Sequence, residues 1–235
     1  MSQLRHIPDD RGVLFAEFDW INIGERYGRF TDGGGSIYRD VQHRGRGKAS
    51  CKILSGATNG NAHEVKYVTM PYAVNVLSFE CLVALGLITA GENLDMGIEY
   101  RDGTNSSTSF RQARLRYLNS TNKWQYENDV DTYADFPSGA YVADPAGEEP
   151  GFASTQLTQT AGDRWAKVKL VVNFKKNEYV RAEIGNQFFD MRGSPVVFRP
   201  ATTTLSHLFF VLGKQASTSI HRWWTTDWIV REESG

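Results

Sequence analysis

Residues 165–184 read "WAKVKLVVNFKKNEYVRAEI", and their alternation decides the fold. Ala166, Val168, Leu170, Val172 and Phe174 recur at every second position, with Lys167, Lys169 and Asn173 between them. A period of two belongs to an extended strand with one dry face; an amphipathic helix would repeat at three and four. The Lys176–Asn177 pair tolerates positive φ, so the chain is expected to turn there and return antiparallel. On the return, Val180, Ala182 and Ile184 are expected to face in, and Tyr179, Arg181 and Glu183 out.

The same pattern extends in both directions. "GVLFAEFDW", "ASCKILS", "EVKYVTMPY", "NVLSFECLVAL", "LDMGIEYRD", "RQARLRYLN" and "KWQYEND" precede the hairpin, and "QFFDMRG", "HLFFVLGK" and "RWWTTDWIVRE" follow it. About a dozen short strands bounded by Gly, Asn, Asp and Ser, with helical periodicity nearly absent, predict an all-β antiparallel sandwich or barrel. Two segments break the rhythm and are expected to be irregular. Residues 22–48 are Gly-rich and basic, and residues 129–163 carry three of the seven prolines. No second self-contained pattern flanks either one, so a single domain over residues 1–235 is expected.

Composition narrows the function classes. The 235 residues carry 26 basic and 27 acidic side chains, a balance that argues against nucleic acid or a charged membrane surface as partner. No stretch is long and apolar enough to span a bilayer, and "MSQLRHIPDDRG" lacks the apolar run of a secretory signal. The expectation is a soluble, cytoplasmic protein, with an extracellular role only if the N-terminus is incomplete. Two cysteines give no disulfide framework: Cys51 alternates with Ala49 and Ile53, and Cys81 with Phe79 and Val83, which reads as two small inward residues.

The tryptophan cluster in "RWWTTDWIV" (222–230) could be a sugar-stacking platform or strand core. Alternation groups Trp224, Thr226, Trp228 and Val230 on one face, the better core face, and Trp223, Thr225, Asp227 and Ile229 on the other. Two of the three rings are therefore expected to be packing.

The hairpin "DRWAKVKLVVNFKKNEYVRAEIGNQFFDMRGSPV", followed by "LSHLFFVLGKQ" and "TTDWIVRE", resembles the C-terminal half of concanavalin A-like lectin/glucanase jelly rolls; "LDMGIEYRDG" and "RLRYLNSTNKWQYE" are similar to laminin-G-type strand order. The resemblance spans roughly residues 65–232 and implies a jelly-roll β-sandwich whose penultimate and closing strands pair with the first strand, "VLFAEFDW". It also implies a structural calcium ion held by Glu17 or Asp19 with Asp227, two or three carboxylates against the six to eight oxygens calcium takes. The glucanases of this family carry Glu-x-Asp-x-x-Glu on one strand, and no such motif stands here. Asp95 and Glu99 share a face but lie roughly 13 Å apart along a strand, against the about 5 Å of retaining hydrolysis.

Binding candidates remain. Gln112, Arg114 and Arg116 alternate with Ala113, Leu115 and Tyr117; Glu99 and Arg101 stand on the polar face of a neighbouring strand, and Trp124 and Tyr126 alternate together. Guanidinium forks suit carboxylate- or sulfate-bearing ligands and aromatic rings suit apolar sugar faces, so this set is the candidate ligand site, with an anionic oligo- or polysaccharide favoured. The plain alternative is a solvated face of cross-strand ion pairs. Arg26, Arg29, Arg39, His43, Arg44, Arg46 and Lys48 form a weaker polyanion candidate. The functional expectation is non-catalytic carbohydrate binding. The alternatives are a glycoside hydrolase or polysaccharide lyase using unconventional residues, and a structural protein-interaction module.

Overall fold

The computed structural model describes residues 13–17, 28–31, 36–42, 50–54, 62–69, 75–85, 93–101, 109–118, 123–137, 141–143, 165–185, 187–200, 207–213 and 222–233. The chain forms β1 (Val13–Glu17), β2 (Gly28–Thr31), β3 (Ser36–Asp40), β4 (Ser50–Leu54), β5 (Ala62–Thr69), β6 (Val76–Leu85), β7 (Asn93–Arg101), β8 (Ser109–Leu118) and β9 (Lys123–Asp129). It continues with β10 (Thr132–Asp135), β11 (Tyr141–Ala143), β12 (Ala166–Asn173), β13 (Glu178–Ile184), β14 (Gln187–Asp190), β15 (Val197–Pro200), β16 (His207–Gly213) and β17 (Arg222–Glu232). There is no helix among the described residues. A nine-stranded sheet runs β11-β14-β13-β12-β6-β17-β4-β3 with β1 on β17, and an eight-stranded sheet runs β10-β9-β8-β7-β16-β5-β2 with β15 on β8.

The fold is the antiparallel jelly-roll β-sandwich expected of the concanavalin A-like class. The closing strand β17 pairs with β1 as expected, but the penultimate strand β16 does not; it sits between β7 and β5 in the other sheet. The segments expected to be irregular hold strands too: β2 and β3 lie within residues 22–48, β10 and β11 within 129–163. Their four-, five- and three-residue runs are too short for periodicity to register.

The core lies between the sheets. The nine-stranded sheet contributes Phe79, Cys81, Val83, Val168, Leu170, Val172, Trp228 and Val230; the other contributes Met96, Ile98, Ala113, Leu115, Tyr117 and Trp124. Cys51 and Cys81 are buried and form no disulfide, in keeping with the small-residue reading. The turn predicted at Lys176–Asn177 is present, with Asn177 at φ 57°, and a second turn follows with Gly185 at φ 61°.

Two bulges change which side chains face the core. On β17 the register with β6 shifts between Thr226 and Ile229. Parity therefore flips partway along the strand. Trp228 and Thr225 share the inner side, with Trp228 Nε1 donating to Thr225 Oγ1 at 2.6 Å, and Trp228 meets Phe79 edge to face. Trp224 is buried, but outside the core cluster: its Nε1 donates to Asp40 Oδ2 at 2.8 Å and the Lys52 ammonium lies over its ring. The expected grouping of Trp224 with Trp228 on one face is thus broken by the extra residue.

On β13 the pairing with β12 runs Val171↔Arg181, then Val172↔Tyr179, and leaves Val180 without a partner. The bulge turns Tyr179 inward, against the alternation expected from the sequence, and it is 0% exposed. Its hydroxyl crosses the core. It accepts from the Arg114 N–H at 2.9 Å and donates to the Glu127 carbonyl at 3.0 Å, with the Arg114 carbonyl at 3.3 Å. Arg114 needs this partner because of how β8 is shared. Along the edge away from β7, β15 pairs with Ser109–Gln112 and β9 with Leu115–Leu118. The hydroxyl fills the gap between them.

Tyr179→Phe keeps the ring and removes the bridge. It is expected to cost about 1–3 kcal/mol in urea unfolding, from a buried donor and acceptor left unpaired. Burial, and then the charge of Glu127, push the Tyr179 phenol well above its ordinary value. The folded state keeps a proton that the unfolded chain releases near pH 10, so this stability is complete below that pH and declines as pH rises above it. The alkaline decline should be shallower in Tyr179→Phe; an unchanged alkaline leg would contradict the assignment.

Candidate functional site

The outer face of the eight-stranded sheet is built by register. Asp95 stands opposite Arg116, Gly97 opposite Arg114 and Glu99 opposite Gln112 across β7–β8, and Gln125 stands opposite Arg116 across β8–β9. On β10, Tyr133 pairs with Glu127 and Asp135 with Gln125. Alternation gives Met96, Ile98, Ala113, Leu115 and Tyr117 to the core and leaves Asp95, Gln112, Arg114, Arg116, Gln125 and Glu127 on the opposite side.

At its centre, Arg116 grips Asp95 with a two-pronged fork, Nε to Oδ1 at 2.6 Å and Nη2 to Oδ2 at 2.7 Å. The Tyr133 ring lies against the guanidinium, 3.5 Å from its carbon to the ring centroid, and the Tyr133 hydroxyl donates to Asp95 Oδ2 at 3.3 Å. Asp95 and Arg116 are buried, as are Gln112 and Glu127. Burial disfavours the Arg116 charge, but the hydrogen bonds and charge of Asp95 outweigh it and the guanidinium pKa is raised. Burial, then the carboxylates of Asp95 and Glu127, push the Tyr133 phenol well above its ordinary range, with Arg116 and Arg114 opposing. Farther out, Gln125 donates to Asp135 at 2.8 Å and Lys123 pairs with it, which lowers the Asp135 pKa.

Several expectations change. Trp124 is core, tilted against Tyr117 at 5.3 Å, and Tyr126 packs edge-on against Tyr179; neither is an exposed platform. Arg114 and Arg116 do share a face, but Arg116 is no exposed anion receptor, because its fork is already filled. The residue that the sequence reading passed over is Tyr133. It follows a turn with no glycine, in which Asp131 takes φ 55° and its N–H is held by Glu127 Oε1 at 3.1 Å. Its strand, "TYAD", is four residues long and carries no alternation to mark it. For Glu99 and Arg101 only the backbone is described: Glu99 lies opposite Phe209 and Arg101 opposite His207 across β7–β16.

Gly97 is required where it stands. A Cβ there would sit 2.1 Å from the Ala113 carbonyl oxygen and 2.8 Å from the Arg114 Cα. Strand β8 therefore passes too close to admit any side chain.

The calcium set is not completed by the described residues. Glu17 lies opposite Trp228 across β1–β17, next in sequence to Asp227; the side chains of both, and all of Asp19, lie outside the described residues. No group of three His, Cys, Asp or Glu suited to a metal occurs among the described residues. The basic candidates are divided: Arg29 is on β2 of one sheet and Arg39 on β3 of the other, while Arg26, His43, Arg44, Arg46 and Lys48 lie outside the described residues. No described helix is long and apolar enough to cross a membrane.

Arg116→Ala strands a buried carboxylate and is expected to cost about 3–5 kcal/mol, with Asp95→Ala comparable and the double variant less than additive. A melting temperature unchanged in Arg116→Ala would contradict the buried fork. Gly97→Ala should destabilise by about 1–3 kcal/mol through overpacking.

Solved structures share the architecture. The cellulose induced protein Cip1 superposes with a TM-score of 0.59 at 10% identity, over 93% of this chain and 97% of that one. The endo-β-1,4-glucuronan lyase of the fungus Trichoderma reesei gives 0.58 at 9% identity, over 93% and 95%. The Emp47p carbohydrate recognition domain gives 0.53 at 9%, over 97% and 100%. At these identities the likeness is one of fold. No protein-family model and no curated protein matches the chain by sequence.

Proposed function

We propose that this chain is a single carbohydrate-binding β-sandwich domain over residues 1–235, which holds an oligo- or polysaccharide on the outer face of its eight-stranded sheet without turning it over. Proteins of this architecture include a carbohydrate recognition domain and a glucuronan lyase, so the fold accommodates glycans in both roles. The state of Asp95 and Tyr133 supports binding over catalysis. Asp95 has both oxygens bonded by one guanidinium, so it is neither a free nucleophile nor a free base. The Tyr133 phenol is held protonated by burial and two carboxylates, which makes it a hydrogen-bond donor and a poor proton acceptor for eliminative cleavage.

A buried ion pair on the side of a sheet away from the core does little for stability that apolar residues would not do better. Its effect here is to fix Arg116 and Tyr133 in one geometry on a rigid strand pair, as a binding surface requires. Glu99 and Arg101 lie farther along β7, opposite Phe209 and His207 of β16, and are proposed to extend the surface.

The test is retention of the intact chain on immobilised cellulose, xylan, glucuronan and alginate, with soluble products assayed in parallel. Retention without product is the expected result. Product that disappears in Asp95→Asn or Tyr133→Phe would replace binding with catalysis, and retention on none of the four would remove the glycan reading.

A further inference from the structure

The geometry points to Tyr133 as the stacking platform of this surface, and to an uncharged pyranose with equatorial hydroxyls as the sugar it takes; the inference rests on the glycan-binding reading above. Three observations carry it. First, among the described residues of this face, Tyr133 supplies the aromatic ring, since Trp124 and Tyr126 are turned to the core.

Second, the ring is immobilised before any ligand arrives. Arg116 backs one of its faces at 3.5 Å, Asp95 holds that guanidinium by two bonds, and the phenol oxygen is tied to the same carboxylate. Tyr133 is nonetheless only partly buried and stands on β10, the edge strand of its sheet. With the guanidinium against one face and the hydroxyl bonded to Asp95, the partly exposed remainder of the ring is the surface assigned to the sugar. A fixed ring loses little conformational freedom on binding, which is what makes aromatic contacts effective. The C–H face of a pyranose with equatorial hydroxyls is the flat apolar surface that matches it.

Third, the charges around the ring cancel. Asp95 and Glu127 act on the Tyr133 phenol from one side of the balance, Arg116 and Arg114 from the other. An anionic sugar gains no net attraction from such a set, and a cationic one finds the ring already occupied by a guanidinium on its opposite face. The anionic preference expected from the arginine row is replaced by a neutral one, because Arg116 serves as backing for the ring.

The experiment is isothermal titration of the full chain with cellohexaose, xylohexaose and an oligoglucuronate of similar length, at low and high salt. Proton spectra of each sugar are recorded alongside. The uncharged sugars are expected to bind with little salt dependence, and their ring protons to move upfield in the wild-type complex. Tyr133→Leu should bind roughly three- to tenfold more weakly, the range of one aromatic contact. Wild-type binding that Tyr133→Leu leaves unchanged, or that moves no sugar proton upfield, overturns the platform and leaves the glycan reading standing. Tighter, salt-sensitive binding of the oligoglucuronate overturns the uncharged class alone. No binding of any sugar overturns both readings. The upfield shift is read on the wild type, so it decides the platform even if Tyr133→Leu fails to fold.

Discussion

The Tyr179 hydroxyl joins the two sheets at the point where one of them divides. Strand β8 offers a single edge to two partners, β15 at one end and β9 at the other, and the backbone between them at Arg114 has to be satisfied. A side chain from the opposite sheet does this, from a fully buried position, while also holding the Glu127 carbonyl. Arg114 and Glu127 are two of the four charged residues that surround Tyr133. The packing of the sandwich and the geometry of its outer face are therefore coupled through one oxygen atom.

That coupling gives the polar cluster its character. Four charged groups sit partly or wholly out of water, which would be costly if each stood alone. Instead Asp95 and Arg116 neutralise each other through a planar fork, and the Tyr133 ring shields the pair from solvent while its hydroxyl takes part. The absence of a side chain at Gly97 lets β7 and β8 approach closely beside the cluster. Rigidity of this kind belongs to surfaces that present a fixed shape.

The strands were legible in the sequence wherever alternation ran for seven residues or more: β9 and β17 have the expected bounds, and the β12 inward row of Ala166, Val168, Leu170, Val172 and Phe174 is buried throughout. What could not be read was an inserted residue. Val180 and the β17 bulge each shift parity by one, and nothing in local composition marks them, because a bulge is decided by the partner strand's register. The same limit applies at the site. Arg114 and Arg116 were visible as a polar row, but the pairing of Arg116 with Asp95, 21 residues away, is a property of the ladder. Tyr133 lay in a short strand reached by a turn built from Asp131 and Glu127 side chains instead of glycine.

Strand β17 lies inside the nine-stranded sheet, with β6 along one edge and β4 and β1 sharing the other. The Trp224–Asp40 hydrogen bond alone joins residues 184 positions apart. As the chain emerges from the ribosome, β4 and β6 are complete long before the strand that separates them exists. Until it arrives, each exposes an unpaired edge backed by apolar side chains, a template for pairing with another chain. Closing loops of this length is slow, so the interval is set by topology and not by any local weakness. Because β17 is made after both of its neighbours, the partly made chain carries strand edges that the finished fold covers.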